Sequence, residues 1–387
     1  MAAGLGAWRR SRKPRRAPPS RERATIRREA TASGARDEAA TCSHTQPGGV
    51  TDETVLVTGG TGYLASWCID LLLTRGYHVR TTVRDRSRRP VVAAQLPPGH
   101  PTARLTVVEA DLGSDAGWAE AAAGCDFVLH VASPFPAVPP RDPAALVGLA
   151  RDGTLRVLAA ARTAGARRIV VTSSSSAAAY PAGPRPDPIT EDHWTDPGHP
   201  LARAYVRSKT LAERAAWAYA REHGMTDRLT VIAPGTLLGP VRGRPSYSLS
   251  VVERLVTGRM PGLPRLGFPF TDVRDVAALH VAAMLSPDAA GERFLATGPF
   301  HWIEDVAAIL RGQPGARVPS RRLPGPLVRA AALFDPALRQ VVPELGEEFR
   351  FATGKARDVL DWNPRPLADT VLDCARSFVM ARSLVKA

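Results

Sequence analysis

Tyr205 and Lys209 stand four residues apart in Tyr-Val-Arg-Ser-Lys, a spacing that places a phenol and an ammonium on one face of a helix. A cation held there favours the phenolate and lets the tyrosine exchange a proton near neutral pH. Composition sharpens the pair. Only Lys13, Lys209, Lys355 and Lys386 are lysines among 51 basic residues, and all the others are arginine. In so arginine-biased a chain, a lysine kept in a helix body points to chemistry that arginine cannot supply. An ordinary tyrosine beside a solvated lysine satisfies the same pattern, so the pair needs company.

That company comes from strand ends. Residues 168–174 read as a strand closing on Thr172-Ser173-Ser174-Ser175-Ser176. A serine hydroxyl facing Tyr205 can hold a carbonyl oxygen while the phenol delivers a proton, and the run of four serines leaves open which one acts. Further upstream, Thr58-Gly59-Gly60-Thr61-Gly62-Tyr63-Leu64-Ala65 follows a buried strand at 54–58 and opens a helical pattern at 63–74. Gly59 and Gly62 allow a tight turn and close approach of a pyrophosphate to the helix N-terminus. Ala65 lets helix and strand pack closely.

The elements that must position these groups alternate along the chain. Strand patterns recur at 54–58, 78–84, 105–111, 127–133, 168–174 and 229–234, with helical stretches between most of them, notably 144–163 and 203–223. Six buried strands joined by crossovers predict an α/β fold, a doubly wound parallel sheet of Rossmann type. After Pro234 glycine and proline become frequent, which suggests a smaller, irregular C-terminal substrate lobe. The expected organisation is a dinucleotide-binding domain at 51–235 and a lobe at 236–387, with 270–298 packing back on the first domain. The proline- and aspartate-rich stretch 181–200 reads as a long loop able to close over the site.

The second strand end discriminates between coenzymes. A carboxylate there would bind the ribose hydroxyls of NAD and repel a 2′-phosphate. Here Arg84 occupies that place with Arg86, Arg88 and Arg89 behind it, so NADPH is expected over NADH. Asp85 opposes this reading if it turns inward. Asp111 and Leu112, at the third strand end, are placed to bracket the adenine, although Asp111 serves equally as a helix N-cap. Ala132 and Ser133 would run beneath the ribose and nicotinamide. With Thr58, Gly59, Thr61, Gly62, Tyr63, Leu64, Tyr205, Lys209 and Pro234 they complete the expected coenzyme contacts.

The net charge of +14 is unevenly spread, since residues 1–50 carry eleven basic against four acidic side chains. That segment has few large apolar residues and reads as a disordered basic extension. It lacks the aromatic-interleaved pattern of a nucleic-acid-binding arm and the apolar core of a secretory signal. No apolar run is long enough to cross a bilayer. Cys42, Cys68, Cys125 and Cys374 are scattered without metal or redox spacing, the usage of a reducing compartment. No metal, no nucleic acid, no membrane and a cytoplasmic location are the resulting expectations.

Taken together, the glycine turn, the serine strand end and Tyr-x-x-x-Lys resemble the extended short-chain dehydrogenase/reductase superfamily, which includes the NAD-dependent epimerases and dehydratases. Phe270-Thr271-Asp272-Val273-Arg274-Asp275-Val276-Ala277 with His280, and Gly239-Pro240 after Pro234, match motifs of that branch. Thr81-Thr82-Val83-Arg84-Asp85, His130-Val131-Ala132-Ser133-Pro134 and Ser208-Lys209-Thr210-Leu211-Ala212-Glu213 look most like its dihydroflavonol reductase and aldehyde/ketone reductase group.

The resemblance implies that Ser174, Tyr205 and Lys209 are the catalytic set. It also implies that Gly59, Gly62 and Arg84 bind coenzyme, and that the reaction reduces an aldehyde or ketone. The two long helices would be available for a homodimer contact. Departures bear on substrate. Flavonoid reductases of the group carry asparagine five residues after the serine, where this chain has Ala179. Cinnamoyl-CoA reductases carry Asn-Trp-Tyr-Cys-Tyr where this chain reads Ala202-Arg203-Ala204-Tyr205-Val206. Neither flavonoids nor phenylpropanoid thioesters are favoured. A nucleotide-sugar epimerase or a steroid dehydrogenase using NAD, and a non-catalytic dinucleotide sensor, are the alternatives. Arg84 opposes the first of these and the intact Ser–Tyr–Lys set opposes the last.

Overall fold

The computed structural model describes residues 51–100, 102–134, 142–243, 245–314, 316–334, 338–339 and 342–386. The expected basic extension lies outside the described residues. Six strands form where continuous apolar runs predict them: β1 (Thr54–Val57), β2 (His78–Val83), β3 (Leu105–Glu109), β4 (Phe127–His130), β5 (Arg168–Thr172) and β6 (Leu229–Pro234). Each of the first five stops one to three residues before the predicted end. Those terminal residues leave the ladder to build the loops over the sheet.

Between the strands run α1 (Tyr63–Thr74), α2 (Arg89–Ala94), α3 (Trp118–Ala122), α4 (Pro143–Thr163) and α5 (Ala204–Glu222). The short α2 and α3 were not separated from loop by pattern alone. α2 begins with Pro90 in its first turn, inside an arginine run that reads as a basic loop.

Beyond β6 come β7 (Thr236–Leu238), α6 (Ser250–Val256), β8 (Leu263–Pro264), β9 (Gly267–Asp272), α7 (Val273–Leu285), β10 (Arg293–Ala296), β11 (Phe300–Trp302), α8 (Ile303–Arg311), β12 (Arg322–Leu323) and α9 (Gly325–Ala331). Helices Gly354–Leu360 and Leu367–Lys386 follow. β10 pairs in parallel with β6, so the central sheet has seven parallel strands in the order β10-β6-β5-β4-β1-β2-β3. β7, β9 and β11 make a separate three-stranded sheet.

Strand order dictates where a ligand can sit. The chain runs outward from β1 to β2 and β3, then returns to place β4 on the other flank of β1. The connections after β1 and β4 therefore diverge and leave a crevice at the carboxyl ends of the strands. One sheet face is packed by α1 and α7, through Leu64, Cys68, Ile69, Leu72, Val276 and Leu279. The other is packed by α4 and α5, through Val157, Leu158, Ala161, Ala216 and Trp217. Among the described residues no helix is long and apolar enough to cross a membrane.

Asp272 ties the final helix to this frame. It caps α7 by accepting from the Arg274 amide at 2.8 Å, and it receives the Thr370 hydroxyl at 2.9 Å. Arg274 also bridges to Asp373 at 2.8 Å.

Candidate active site

The glycine turn closes the base of the crevice. Gly59 has φ +73°, and a Cβ there would come within 3.0 Å of the Ala132 methyl on the opposite wall. Its amide donates to the Thr82 hydroxyl at 2.9 Å and the Gly60 amide to the Thr82 carbonyl at 2.8 Å. Gly62 then starts α1 with no side chain capping it, so the first amides of a twelve-residue helix face the crevice. This cradle fits a pyrophosphate, because only glycine leaves room for one and the helix end supplies the donors. Gly59→Ala combines a left-handed backbone with a collision against Ala132. It is expected to weaken NADPH binding at least tenfold, read by fluorescence titration, and to destabilise the fold by roughly 1–2 kcal/mol.

Burial and internal bonding limit what several of the expected coenzyme contacts can offer a ligand through their side chains. Thr58 is fully buried, and its hydroxyl accepts from the Val131 and Ala132 amides at 3.1 and 3.0 Å. It joins the crevice walls and offers no side chain to a ligand. The Tyr63 phenol lies away from the crevice, beside Gly239, and burial pushes its pKa far above the usual value. Leu64 belongs to the core. The last two can serve a ligand only through backbone amides. Leu112 is likewise pressed against Gly153 of α4. Thr61 has its carbonyl bonded by Gln95 at 3.1 Å, and Pro234 ends β6 fully inside the sheet.

At the end of β2 an open groove of about 540 Å³ is lined by Arg84, Asp85, Ser87, Arg88, Val91 and Asp111. Asp85 is exposed and lines the groove beside Arg84. Its carboxylate accepts from the Ser87 amide at 2.8 Å, a bond that holds its pKa below the usual carboxylate value. Arg86 faces Glu109 at 3.7 Å and Arg89 donates to the Val107 carbonyl at 2.8 Å. Arg84 and Arg88 are left to supply positive charge to the groove. Asp111 accepts from the Gly113 amide at 2.8 Å, a turn-capping role.

The serine run resolves into four different environments. Ser173 points to the far side and donates to Glu213 at 2.5 Å, while Ser175 is buried. Ser174 caps the short turn that follows and accepts from the Ser176 hydroxyl at 2.9 Å. Its own hydroxyl is hydrogen-bonded to the Tyr205 phenol. Of the four, Ser174 is the serine that meets the tyrosine.

Burial raises the phenol's pKa, and the Ser174 hydrogen bond opposes that shift. The Lys209 ammonium is fully buried and donates to the Thr172 carbonyl at 2.9 Å, and burial lowers its pKa to about 8 against a smaller opposing pull from Glu213. The stretch 181–200, read as a closing loop, is fastened: the Thr195 amide donates to Ala177 and the Asp196 amide to Tyr180, both at 2.8 Å.

Two histidines support the site from below. His280 donates through Nδ1 to the Val276 carbonyl and accepts the Thr172 hydroxyl at Nε2, both at 2.8 Å. His130 sits 2.9 Å from the Thr58 hydroxyl and 3.2 Å from that of Thr154. Burial and the Lys209 charge depress their pKa values to about 4 and about 3. On acidification the unfolded chain takes up protons first, so stability present above pH 6.5 is lost as the pH falls toward 4. His280→Gln should remove roughly 3 kcal/mol of that pH dependence, from a shift of 6.5 to about 4. Urea melts at pH 7 and pH 4.5 measure it, and equal pH dependence in the two proteins would refute the assignment.

Sequence reasoning did not assign a role to His130, His280, Glu213 or Arg293. Glu213 carried a legible signal, since Tyr205, Lys209 and Glu213 recur at intervals of four along one helix face.

A doubly wound sheet with a glycine cradle and a Ser–Tyr–Lys group at its carboxyl edge fits a dinucleotide-dependent enzyme. Residues 55–296 match the model of the NAD dependent epimerase/dehydratase family. The chain belongs to that family. It is 34% identical over 274 residues to a cinnamoyl-CoA reductase of Medicago truncatula, covering 69% of this chain and 83% of the relative. It is also 34% identical over 281 residues to the dihydroflavonol 4-reductase of Zea mays, covering 70% and 77%. Its fold superposes on yeast methylglyoxal/isovaleraldehyde reductase Gre2, solved with NADPH, at a TM-score of 0.68 and 22% identity over 85% of this chain and 99% of the other. It is an NAD(P)-dependent reductase of this family.

Proposed function

We propose that the protein reduces an aldehyde or ketone to an alcohol with NADPH, using Tyr205 as proton donor. The observation that carries the reading is the Ser174–Tyr205 hydrogen bond at the crevice mouth, with Lys209 fixed to Thr172 beneath it. When bound, NADPH would supply the hydride that the carbonyl carbon accepts. Tyr205 gives its proton to the oxygen, completing the hydroxyl, and Ser174 holds that oxygen in line. A phenol kept protonated by burial is loaded for donation at neutral pH. Arg84 and Arg88 would hold the 2′-phosphate and the α1 amides the pyrophosphate.

Ala179 is buried in the cluster around Tyr180 and offers a methyl where flavonoid reductases offer an amide. Small aldehydes and ketones are therefore the favoured substrates, rather than flavonoids or thioesters. The test is coenzyme oxidation across a panel of aldehydes and ketones, run with NADPH and with NADH. Turnover preferring NADPH is the expected result. Absence of turnover with both coenzymes, from protein that carries tightly bound NAD, would replace this reading with an epimerase.

A further inference from the structure

Behind the Ser–Tyr–Lys group lies a polar cleft of about 10 Å³, near the lower limit for one water molecule. His130 of β4, Thr154 of α4, Thr172 and Ser173 at the end of β5, and Lys209 and Glu213 of α5 line it. Glu213 is the one carboxylate of this lining, and its side chain is 1% exposed.

A carboxylate so deeply buried needs partners for both oxygens, and it has them. Oε1 accepts from Arg293 Nε at 2.6 Å and Oε2 accepts from the Ser173 hydroxyl at 2.5 Å. A second Arg293 nitrogen reaches Oε2 at 3.2 Å, and the Trp217 indole approaches Oε1 at 3.4 Å. Arg293, on the edge strand β10, donates in turn to the Glu191 and His193 carbonyls at 2.8 Å. Its guanidinium lies 4.2 Å from the Trp194 ring centre.

His130 of β4 and His280 of α7 are buried and neutral above pH 5. Tyr205 of α5 is protonated. Glu213 stands one helical turn from Lys209 on α5 and lines the same cleft, with Arg293 paired to its carboxylate.

Resting on the reading that Lys209 serves the reaction, we propose that Glu213, locked by Arg293, is a positioning residue that supplies the counter-charge keeping Lys209 protonated and fixes the serine strand end through Ser173. Two opposite effects follow. Removing the carboxylate exposes Lys209 to uncompensated burial, whereas removing Arg293 leaves Glu213 free to hold the ammonium more strongly.

The chain's four lysines make a direct test practical. Protein labelled with ¹³Cε-lysine gives few resonances, and Lys209→Arg identifies the one of interest. In the wild type its titration midpoint is expected near 8. Glu213→Gln should move it down by on the order of one pH unit. Arg293→Gln should move it up. Because either single change leaves a buried group unpaired, the double Glu213→Gln/Arg293→Gln variant serves as the folding-tolerant form and should also titrate below wild type. The basic limb of NADPH turnover should move with the resonance.

Midpoints that stay within about 0.2 units of wild type in folded variants would overturn the proposal. So would shifts of the same sign in the two single variants. A shifted midpoint in a protein without carbonyl reductase activity would overturn the functional reading instead, leaving the Glu213–Lys209 coupling intact.

Discussion

Tyr205→Phe is expected to lower NADPH-dependent turnover by about 10²–10⁴-fold, the usual worth of a positioned general acid. The substitution removes one oxygen and leaves the ring where it packs. NADPH affinity, read by fluorescence quenching, should stay within about twofold of wild type. The Ser174 hydroxyl would still be available to the substrate oxygen, so residual activity is expected rather than none. Ser174→Ala should cost less, because the phenol that carries the proton remains.

The pH profile adds a second readout. Burial holds the phenol above its ordinary pKa of 10, so the donor stays loaded throughout the neutral range. Lys209, lowered to about 8, loses its charge first. Wild-type kcat/KM should therefore fall above about pH 8, and the small residual rate of Tyr205→Phe should retain that limb. Unchanged turnover in Tyr205→Phe would sink the mechanism.

How much of this was legible without coordinates depended on how local each signal was. The parallel strands declare themselves because both faces are covered, so runs such as Phe127-Val128-Leu129-His130 read as continuous apolar segments. The Tyr205–Lys209 pair was legible because helical period alone brings the two together. The serine run itself carries no contrast between its four members, and it was the family resemblance that singled out Ser174. What selects Ser174 is an extended backbone, φ −156° and ψ 146°, that turns its hydroxyl toward the tyrosine while Ser173 faces Glu213.

Thr58, Tyr63 and Leu64 show a different limit. The glycine motif marks where backbone amides gather but says nothing of side chains, and all three side chains serve the core or the crevice walls. Glu213 and Arg293, eighty residues apart in sequence, become a pair only when β10 docks beside β6. Short helices in the C-terminal third, such as α6 and Gly354–Leu360 at seven residues each, span too few turns for periodicity to separate them from loop.

Arg84→Ser/Arg88→Ser is expected to lower kcat/KM for NADPH by about 10²-fold while leaving the NADH value within about threefold. Charged hydrogen bonds to a phosphate contribute about 1.5–3 kcal/mol each, and both guanidinium groups are exposed, so the lower end of that range applies. Two such bonds at the lower end amount to roughly 3 kcal/mol, or about 10²-fold. The loss should sit in KM, because the 2′-phosphate is far from the reacting carbon and binds ground and transition states alike.

Arg86→Ser is the internal control. That side chain faces Glu109 rather than the groove, and its loss should leave the coenzyme preference within about twofold. Ionic strength provides an independent check, since exposed charges are screened within about 10 Å at 0.1 M salt. The wild-type KM for NADPH should rise with salt, and the double variant should lose most of that dependence. A double variant that still prefers NADPH, with the wild-type salt slope, would assign the 2′-phosphate elsewhere.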